Sequence, residues 1–133
     1  MHGNLYGTPV APVVKLLAKG LIPMMTIDVK GARSVKKIFP GTVTVFLLPP
    51  GLKTLVSRLK KRREPAANIR IRLGTAKKEI KEAASFDYLV INDKLGTAVR
   101  DIREIADIES MKVPRRTAEL RRFSRELSEF RPS

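Results

Sequence analysis

The sequence contains no cysteine and no tryptophan, and its single histidine, His2, lies at the amino terminus. The absence of cysteine excludes a disulfide framework, a thiolate nucleophile and a cysteine-based zinc site, and it favours a reducing compartment. A Ser-His-Asp triad requires a positioned histidine, which a histidine at the chain terminus does not provide. For the same reason we do not expect His2 to act as a catalytic base or metal ligand. These absences direct attention away from nucleophilic and zinc catalysis.

Long hydrophobic runs are also missing. The most apolar stretch, residues 42–48, has the length of a strand and is followed by Pro49 and Pro50, whereas a membrane-spanning helix needs about 20 apolar residues. The first residues contain neither the basic leader nor the apolar core of a signal peptide. We therefore expect no membrane partner and a cytoplasmic location.

Acidic residues are scarce, because 13 Asp and Glu stand against 27 Lys and Arg and leave a net charge of +14. Such a surplus favours polyanionic partners, among them nucleotides and nucleic acid. Residues 53–78 hold ten of the cations and one acid, Glu64. Arg58 and Arg62 precede a short break in this stretch and Arg72 follows it. Guanidinium groups pair bidentately with phosphate oxygens, so the two helix ends that carry these arginines can close over an anion. Alternatively, the cations of this stretch only form a solvent-exposed helix face.

Strand-like and helix-like segments alternate along the chain, which is typical of an α/β layered fold. Three apolar segments have the length of strands: residues 22–29, 42–48 and 87–92. Strands separated by helices are expected to pair in parallel through right-handed crossovers, and ligands of such sheets bind beyond the carboxyl ends of the strands. Asp28 and Asn92 lie at two of those ends.

Two of the candidate binding positions have ordinary structural interpretations. Asp28 stands where the N-cap of the next helix is expected, and taken alone this interpretation outweighs a ligand contact. Tyr6 and Thr8 flank Gly7 in a segment that equally suits a turn with a capping threonine. A phosphate-binding loop, Gly-x4-Gly-Lys followed by Ser or Thr, does not occur in the sequence.

Five segments occur in the order and near the spacing of one family. They are Gly3-Asn4-Leu5-Tyr6-Gly7-Thr8, Ile27-Asp28-Val29-Lys30-Gly31-Ala32, Phe46-Leu47-Leu48-Pro49-Pro50, the pair Arg58-Leu59-Lys60-Lys61-Arg62 with Ile71-Arg72-Leu73, and Phe86-Asp87-Tyr88-Leu89-Val90-Ile91-Asn92-Asp93. On these segments the sequence resembles the C-terminal portion of the guanylate kinases, nucleoside monophosphate kinases of the P-loop kinase fold. The resemblance implies a partial three-layer α/β fold, with a parallel sheet flanked by helices and the central P-loop strand absent.

The resemblance also implies an activity, the transfer of a phosphoryl group from ATP to GMP. By position, Tyr6 is expected at the GMP phosphate, and Thr8 and Asp28 at the guanine. Asn92 is expected on the adenine side of ATP. Mg²⁺ is implied together with ATP, although no metal ligands are evident in the chain.

The same positional comparison assigns the lid to about residues 58–73, within a kinase-like region of residues 1–110. Arg58, Arg62 and Arg72 are its implied catalytic arginines, which offset charge on the transferring phosphoryl group. Residues 111–133 are expected to form a basic amphipathic helix.

Four departures from the family accompany the missing loop. Thr26 and Lys30 replace an aspartate and a glutamine, Arg63 replaces a glycine, and the lid is one residue short. Because the phosphate-binding loop is missing, we expect the chain by itself to be inactive. A non-catalytic protein-interaction module and an unspecific RNA or polyanion binder are the alternatives. Unpaired strand edges predict marginal stability and self-association.

Overall fold

The computed structural model describes residues 10–132. Its helices and strands are, in chain order, α1 (Val10–Ala18), α2 (Val29–Ile38), β1 (Val45–Leu48), α3 (Leu52–Lys61), α4 (Ala66–Glu79), β2 (Tyr88–Ile91), α5 (Leu95–Ser110) and α6 (Thr117–Glu129). Short 3-10 turns at Ile80–Ser85 and Val113–Arg115 follow α4 and precede α6. The structure is therefore mixed α/β and mostly helical. Between residues 10 and 132 no helix is long and apolar enough to cross a membrane.

β1 and β2 form a two-stranded sheet. The N–H of Tyr88 donates to the carbonyl of Thr44, and the N–H of Asn92 donates to the carbonyl of Leu48. The bonding partner moves in the same direction along both strands, so the pair is parallel. The predicted parallel pairing is confirmed for two of the three apolar segments, 42–48 and 87–92, over fewer residues than the apolar runs suggested.

The predicted strand over residues 22–29 is wrong. Residues 21–28 contain neither helix nor strand, and Val29 already belongs to α2. A strand is stabilised by hydrogen bonds to a neighbouring strand, and in the described part of the chain the sheet consists of β1 and β2 alone. Pro23 also lacks an N–H to donate. Ile22 and Met24 are accordingly 67% and 78% exposed, although their apolar character suits a buried strand.

The described residues form two compact units, residues 10–46 with 58–89, and residues 47–57 with 90–132. In the first unit Val13, Val35 and Leu59 are buried. In the second unit Val90 and Ala98 are buried. Each unit thus buries few apolar side chains completely, which predicts a small free energy of unfolding for the chain by itself.

Asp87 joins α2 to the residues that begin both strands. Its Oδ2 accepts hydrogen bonds from the backbone N–H of Thr44 at 2.8 Å, from the Thr44 hydroxyl at 3.0 Å and from Lys36 Nζ at 3.0 Å. Burial of the carboxyl raises its pKa, but the Thr44 and Lys36 contacts outweigh burial and leave the pKa of Asp87 below its ordinary value of 3.8. The charged form is therefore the form that the fold stabilises.

We expect this carboxylate to make stability depend on pH in the acid range. Because the pKa of Asp87 is lowered on folding, its carboxylate stabilises the folded state at pH values above its unfolded pKa of about 4. This stabilisation is lost as the pH falls through the pKa that Asp87 has in the folded state. At pH values below about 4.5, the urea concentration at the unfolding midpoint of the wild-type chain should therefore decrease as the pH falls. The decrease should be smaller in Asp87→Asn. Glu104→Gln, at an exposed position of α5, is the control. Equal drops in wild type and Asp87→Asn would contradict the assignment.

Candidate functional site

Asp28 lies immediately before α2 and caps its amino terminus. Its backbone is extended, and its Oδ1 accepts a hydrogen bond from the N–H of Gly31 at 2.7 Å. A Cβ on Gly31 would stand 3.1 Å from that oxygen and 3.2 Å from the Cβ of Ile27, so a side chain at this position would crowd the cap. The carboxylate is therefore fixed and exposed at the positive end of a helix dipole.

The lid arginines lie at the end of α3 and in α4. Arg58 belongs to the last turns of α3, and Arg62 follows the helix, with its N–H donating to the carbonyl of Arg58 at 3.2 Å. Arg72 lies within α4, after a non-helical break at residues 62–65. Arg62 and Arg72 are exposed, and Arg58 is half-buried. α4 begins at Ala66, so the break between the two helices comprises the four residues 62–65.

An ion pair crosses this break. Arg72 lies 3.1 Å from the carboxylate of Glu64, whose side chain is only 16% exposed. Glu64 is the single acid of the cationic stretch, and it thereby holds one of the three lid arginines. Sequence reasoning missed this pair, because Glu64 lies in the break before α4 and no helical spacing relates it to Arg72.

Arg63 occupies the left-handed region of backbone space, with φ of 59°. An L residue with a Cβ is strained there by about 1–2 kcal/mol, whereas glycine is not. The turn thus explains why a glycine suits this position of the lid, and why the arginine found here is costly. The turn also directs the chain from α3 into α4.

A basic groove runs along one face of α2. The groove has a volume of about 320 Å³. α2 lines it with Val29, Ala32, Arg33, Lys36 and Lys37, and the other lining residues are Thr44, Ser85 and Phe86. Arg33 pairs with Glu82 and Lys36 with Asp87, so two of its three cations are already neutralised within the fold. The groove adjoins the residues that begin β1 and β2 rather than the carboxyl ends at which sheets of this kind bind ligands.

The remaining candidate residues are placed as follows. Asn92 directly follows β2, is half-buried, and donates its N–H to Leu48 at 2.7 Å in the second unit. Asp28 and the three lid arginines belong to the first unit. Tyr6 and Thr8 lie outside the described residues.

Metal binding by the described residues has little support. Between residues 10 and 132 no three carboxylate, imidazole or thiolate side chains cluster in a way that could hold a metal ion. Thr26, which replaces the family's aspartate, offers a neutral hydroxyl in place of a carboxylate. These residues do not fit a Mg²⁺ ion held by the protein.

Comparison with known proteins identifies the chain's relatives. The family model described as guanylate kinase matches residues 1–109. A guanylate kinase of Carboxydothermus hydrogenoformans is 45% identical over 94 residues, which are 70% of this chain and 46% of that protein. One of Lactobacillus delbrueckii subsp. bulgaricus is 47% identical over 68% of this chain and 45% of its own length. One of Lactobacillus johnsonii is 40% identical over 93% of this chain and 61% of its own length.

The chain thus spans about half the length of the curated relatives it matches. The match includes the capped start of α2, both arms of the lid and the β1–β2 pair. Most of the chain is covered, and the identity to several relatives exceeds 40%. The chain belongs to the guanylate kinase family.

Proposed function

We propose that the chain carries part of the nucleotide site of a guanylate kinase, which converts ATP and GMP to ADP and GDP. The observation that carries the proposal is the family match over residues 1–109, the part of the chain in which the GMP-side and lid residues are proposed. The three-layer arrangement of the complete fold, the cytoplasmic location and the use of Mg²⁺ with ATP belong to the same proposal.

On the GMP side, Asp28 is proposed to recognise the guanine. Guanine presents two neighbouring N–H donors, and a carboxylate can accept from both. Oδ1 of Asp28 is fixed by Gly31, and within residues 10–132 no hydrogen bond reaches Oδ2. The hydrogen bond to Gly31 therefore orients the carboxylate through Oδ1, and Oδ2 can still accept hydrogen bonds from a ligand. Thr8 is proposed to assist at the base and Tyr6 at the GMP phosphate.

On the lid side, Arg58, Arg62 and Arg72 are proposed to offset the negative charge of the transferring phosphoryl group. Phosphoryl transfer depends mainly on positioning and electrostatic stabilisation, so exposed guanidinium groups on a hinged segment suit this role. Asn92 is proposed to lie on the adenine side. The chain has no phosphate-binding loop, and we propose that it does not catalyse the reaction by itself.

A hybrid kinase tests the role of Asp28. In it, residues 1–109 of this chain, which match the family model, replace the equivalent part of the Carboxydothermus hydrogenoformans enzyme. Asn caps helices as well as Asp does, whereas Ala loses about 1 kcal/mol. We expect Asp28→Asn to leave the melting temperature of the hybrid nearly unchanged and to raise its KM for GMP at least about tenfold, the equivalent of about 1.4 kcal/mol. If the KM for GMP rises only in Asp28→Ala, together with a lower melting temperature, Asp28 acts as a helix cap and does not contact guanine.

Unspecific polyanion binding is the second candidate, and the exposed cations of α3 and α4 favour it. It predicts affinity for single-stranded RNA that falls steeply with salt and shows no preference for guanine nucleotides. The cationic stretch of residues 53–78 contains no aromatic side chain on which bases can stack, which weakens this candidate.

A further inference from the structure

The backbone of Glu64 is fixed to the end of α3. Its N–H donates to the carbonyl of Leu59 at 3.3 Å, and the N–H of Arg63 donates to the carbonyl of Lys60 at 2.9 Å. Together with the left-handed backbone of Arg63, these two hydrogen bonds form a Schellman helix end. Leu59 is 5% exposed, so this end of α3 is anchored in the first unit. The carboxylate of Glu64 therefore extends from a fixed point.

The side chain of Glu64 reaches from this point to α4. It is 16% exposed and lies 3.1 Å from Arg72, whereas the side chain of Arg72 is 57% exposed. A carboxylate with so little access to water is stabilised by a cation beside it. Glu64 is also the single acid among the ten cations of residues 53–78. The ion pair thus joins the two arms of the lid on either side of the break.

The chemistry of this pair suits an exchange of partners. A guanidinium group makes the same forked contact with a carboxylate and with a phosphate, so Glu64 occupies donors that a phosphate group would use. An ion pair with an exposed partner contributes little free energy and is therefore easily broken. A phosphate group carries more negative charge than a carboxylate and offers more acceptor oxygens, so it can displace Glu64 from Arg72.

We propose that Glu64 is an internal counter-ion that holds Arg72 until a phosphate group displaces it. In the phosphate-free chain the guanidinium is paired and confined beside the break. When phosphate binds, the guanidinium leaves Glu64 and contacts the phosphate oxygens. This inference rests on the proposed role of Arg72 at the transferring phosphoryl group and adds a competing acid to it. Glu64 acts through Arg72 and is a positioning residue.

Removal of the negative charge of Glu64 should strengthen phosphate binding at Arg72. Glu64→Gln keeps the length of the side chain and removes its charge, so phosphate no longer competes with an ion pair. Because exposed ion pairs change equilibrium constants by at most about fivefold, we expect the dissociation constant at Arg72 to fall about two- to fivefold. Glu79→Gln removes the same charge about two helical turns away on α4 and should leave the constant nearly unchanged.

The Nε–H resonance of Arg72 measures this constant at the residue itself. In the ¹⁵N-labelled chain it is assigned by its loss in Arg72→Lys and followed during titration with tripolyphosphate. A salt concentration of about 0.15 M screens distant charges. We expect Glu64→Gln to shift the resonance before any anion is added. The titration midpoint should then lie at about a two- to fivefold lower tripolyphosphate concentration than in wild type.

The titration separates failure of this inference from failure of the proposed lid. If the midpoint is the same in wild type and Glu64→Gln, or falls equally in Glu79→Gln, Glu64 does not compete for Arg72, although Arg72 still binds phosphate. If the resonance of Arg72 does not respond to tripolyphosphate in either chain, the proposed role of Arg72 is wrong and the inference fails with it.

Discussion

The 133-residue chain, supplied with ATP, magnesium and GMP, should form no GDP above the blank. In phosphoryl transfer a single arginine that stabilises the transition state contributes about 10³- to 10⁵-fold, and a phosphate-binding loop holds the transferring group itself. The chain contains the arginines proposed for the lid but no Gly-x4-Gly-Lys motif, so its rate should lie at least about 10⁴-fold below that of a full-length relative. A coupled assay of ADP and GDP release measures this.

Traces of a host guanylate kinase are the main source of error in that assay. Arg72→Ala, purified in parallel, is therefore the control, because contaminating activity does not respond to a substitution in the chain. GDP formation that scales with chain concentration and falls in Arg72→Ala would show that the chain is active, contrary to the expectation.

A charge at position 35 should unfold the first unit. Val35 is 2% exposed and is the largest side chain that is completely buried among residues 10–132. It lies on α2 next to Lys36, the residue whose Nζ binds Asp87. An unpaired carboxylate there costs more than about 4 kcal/mol, a large fraction of the 5–15 kcal/mol that stabilises an ordinary domain. Val35→Asp should therefore lose its cooperative thermal transition.

Two further substitutions separate burial from charge. Ser34→Asp adds the same charge at an exposed neighbouring position and should shift the free energy of unfolding by no more than about 0.5 kcal/mol. Val35→Ala removes two methyl groups and should cost about 2 kcal/mol while retaining the fold. A Val35→Asp chain that melts like Ser34→Asp would show that α2 does not pack as the structure has it.

Local sequence signals predicted the elements that need no distant partner. The Asp28 cap defines the start of α2, and the apolar character of segments 42–48 and 87–92 predicts that both form strands. The same apolar signal failed at residues 22–29, because a strand also requires a neighbour that the described residues do not supply. The apolar character of a segment indicates that its side chains can be buried, whereas strand formation also depends on a neighbouring strand with which the backbone can form hydrogen bonds.

The candidate site was predictable in its residue types and less so in its contacts. The spacing of Arg58 and Arg62 and the positions of Asp28 and Arg72 were visible in the sequence. The ion pair of Arg72 with Glu64 and the left-handed backbone of Arg63 were not, because both arise from the geometry of the turn between α3 and α4. The roles of Tyr6, Thr8 and Asn92 stay predictions.

GDP formation by the hybrid kinase tests the central claim most directly, namely that this chain contains a working guanine site and lid. The hybrid combines residues 1–109 of the chain with the unmatched part of the Carboxydothermus hydrogenoformans enzyme, whose aligned region is 45% identical. We predict that it phosphorylates GMP within about tenfold of the parent enzyme, a loss of no more than about 1.4 kcal/mol in transition-state stabilisation. A folded hybrid that binds ATP but forms no GDP would contradict the account.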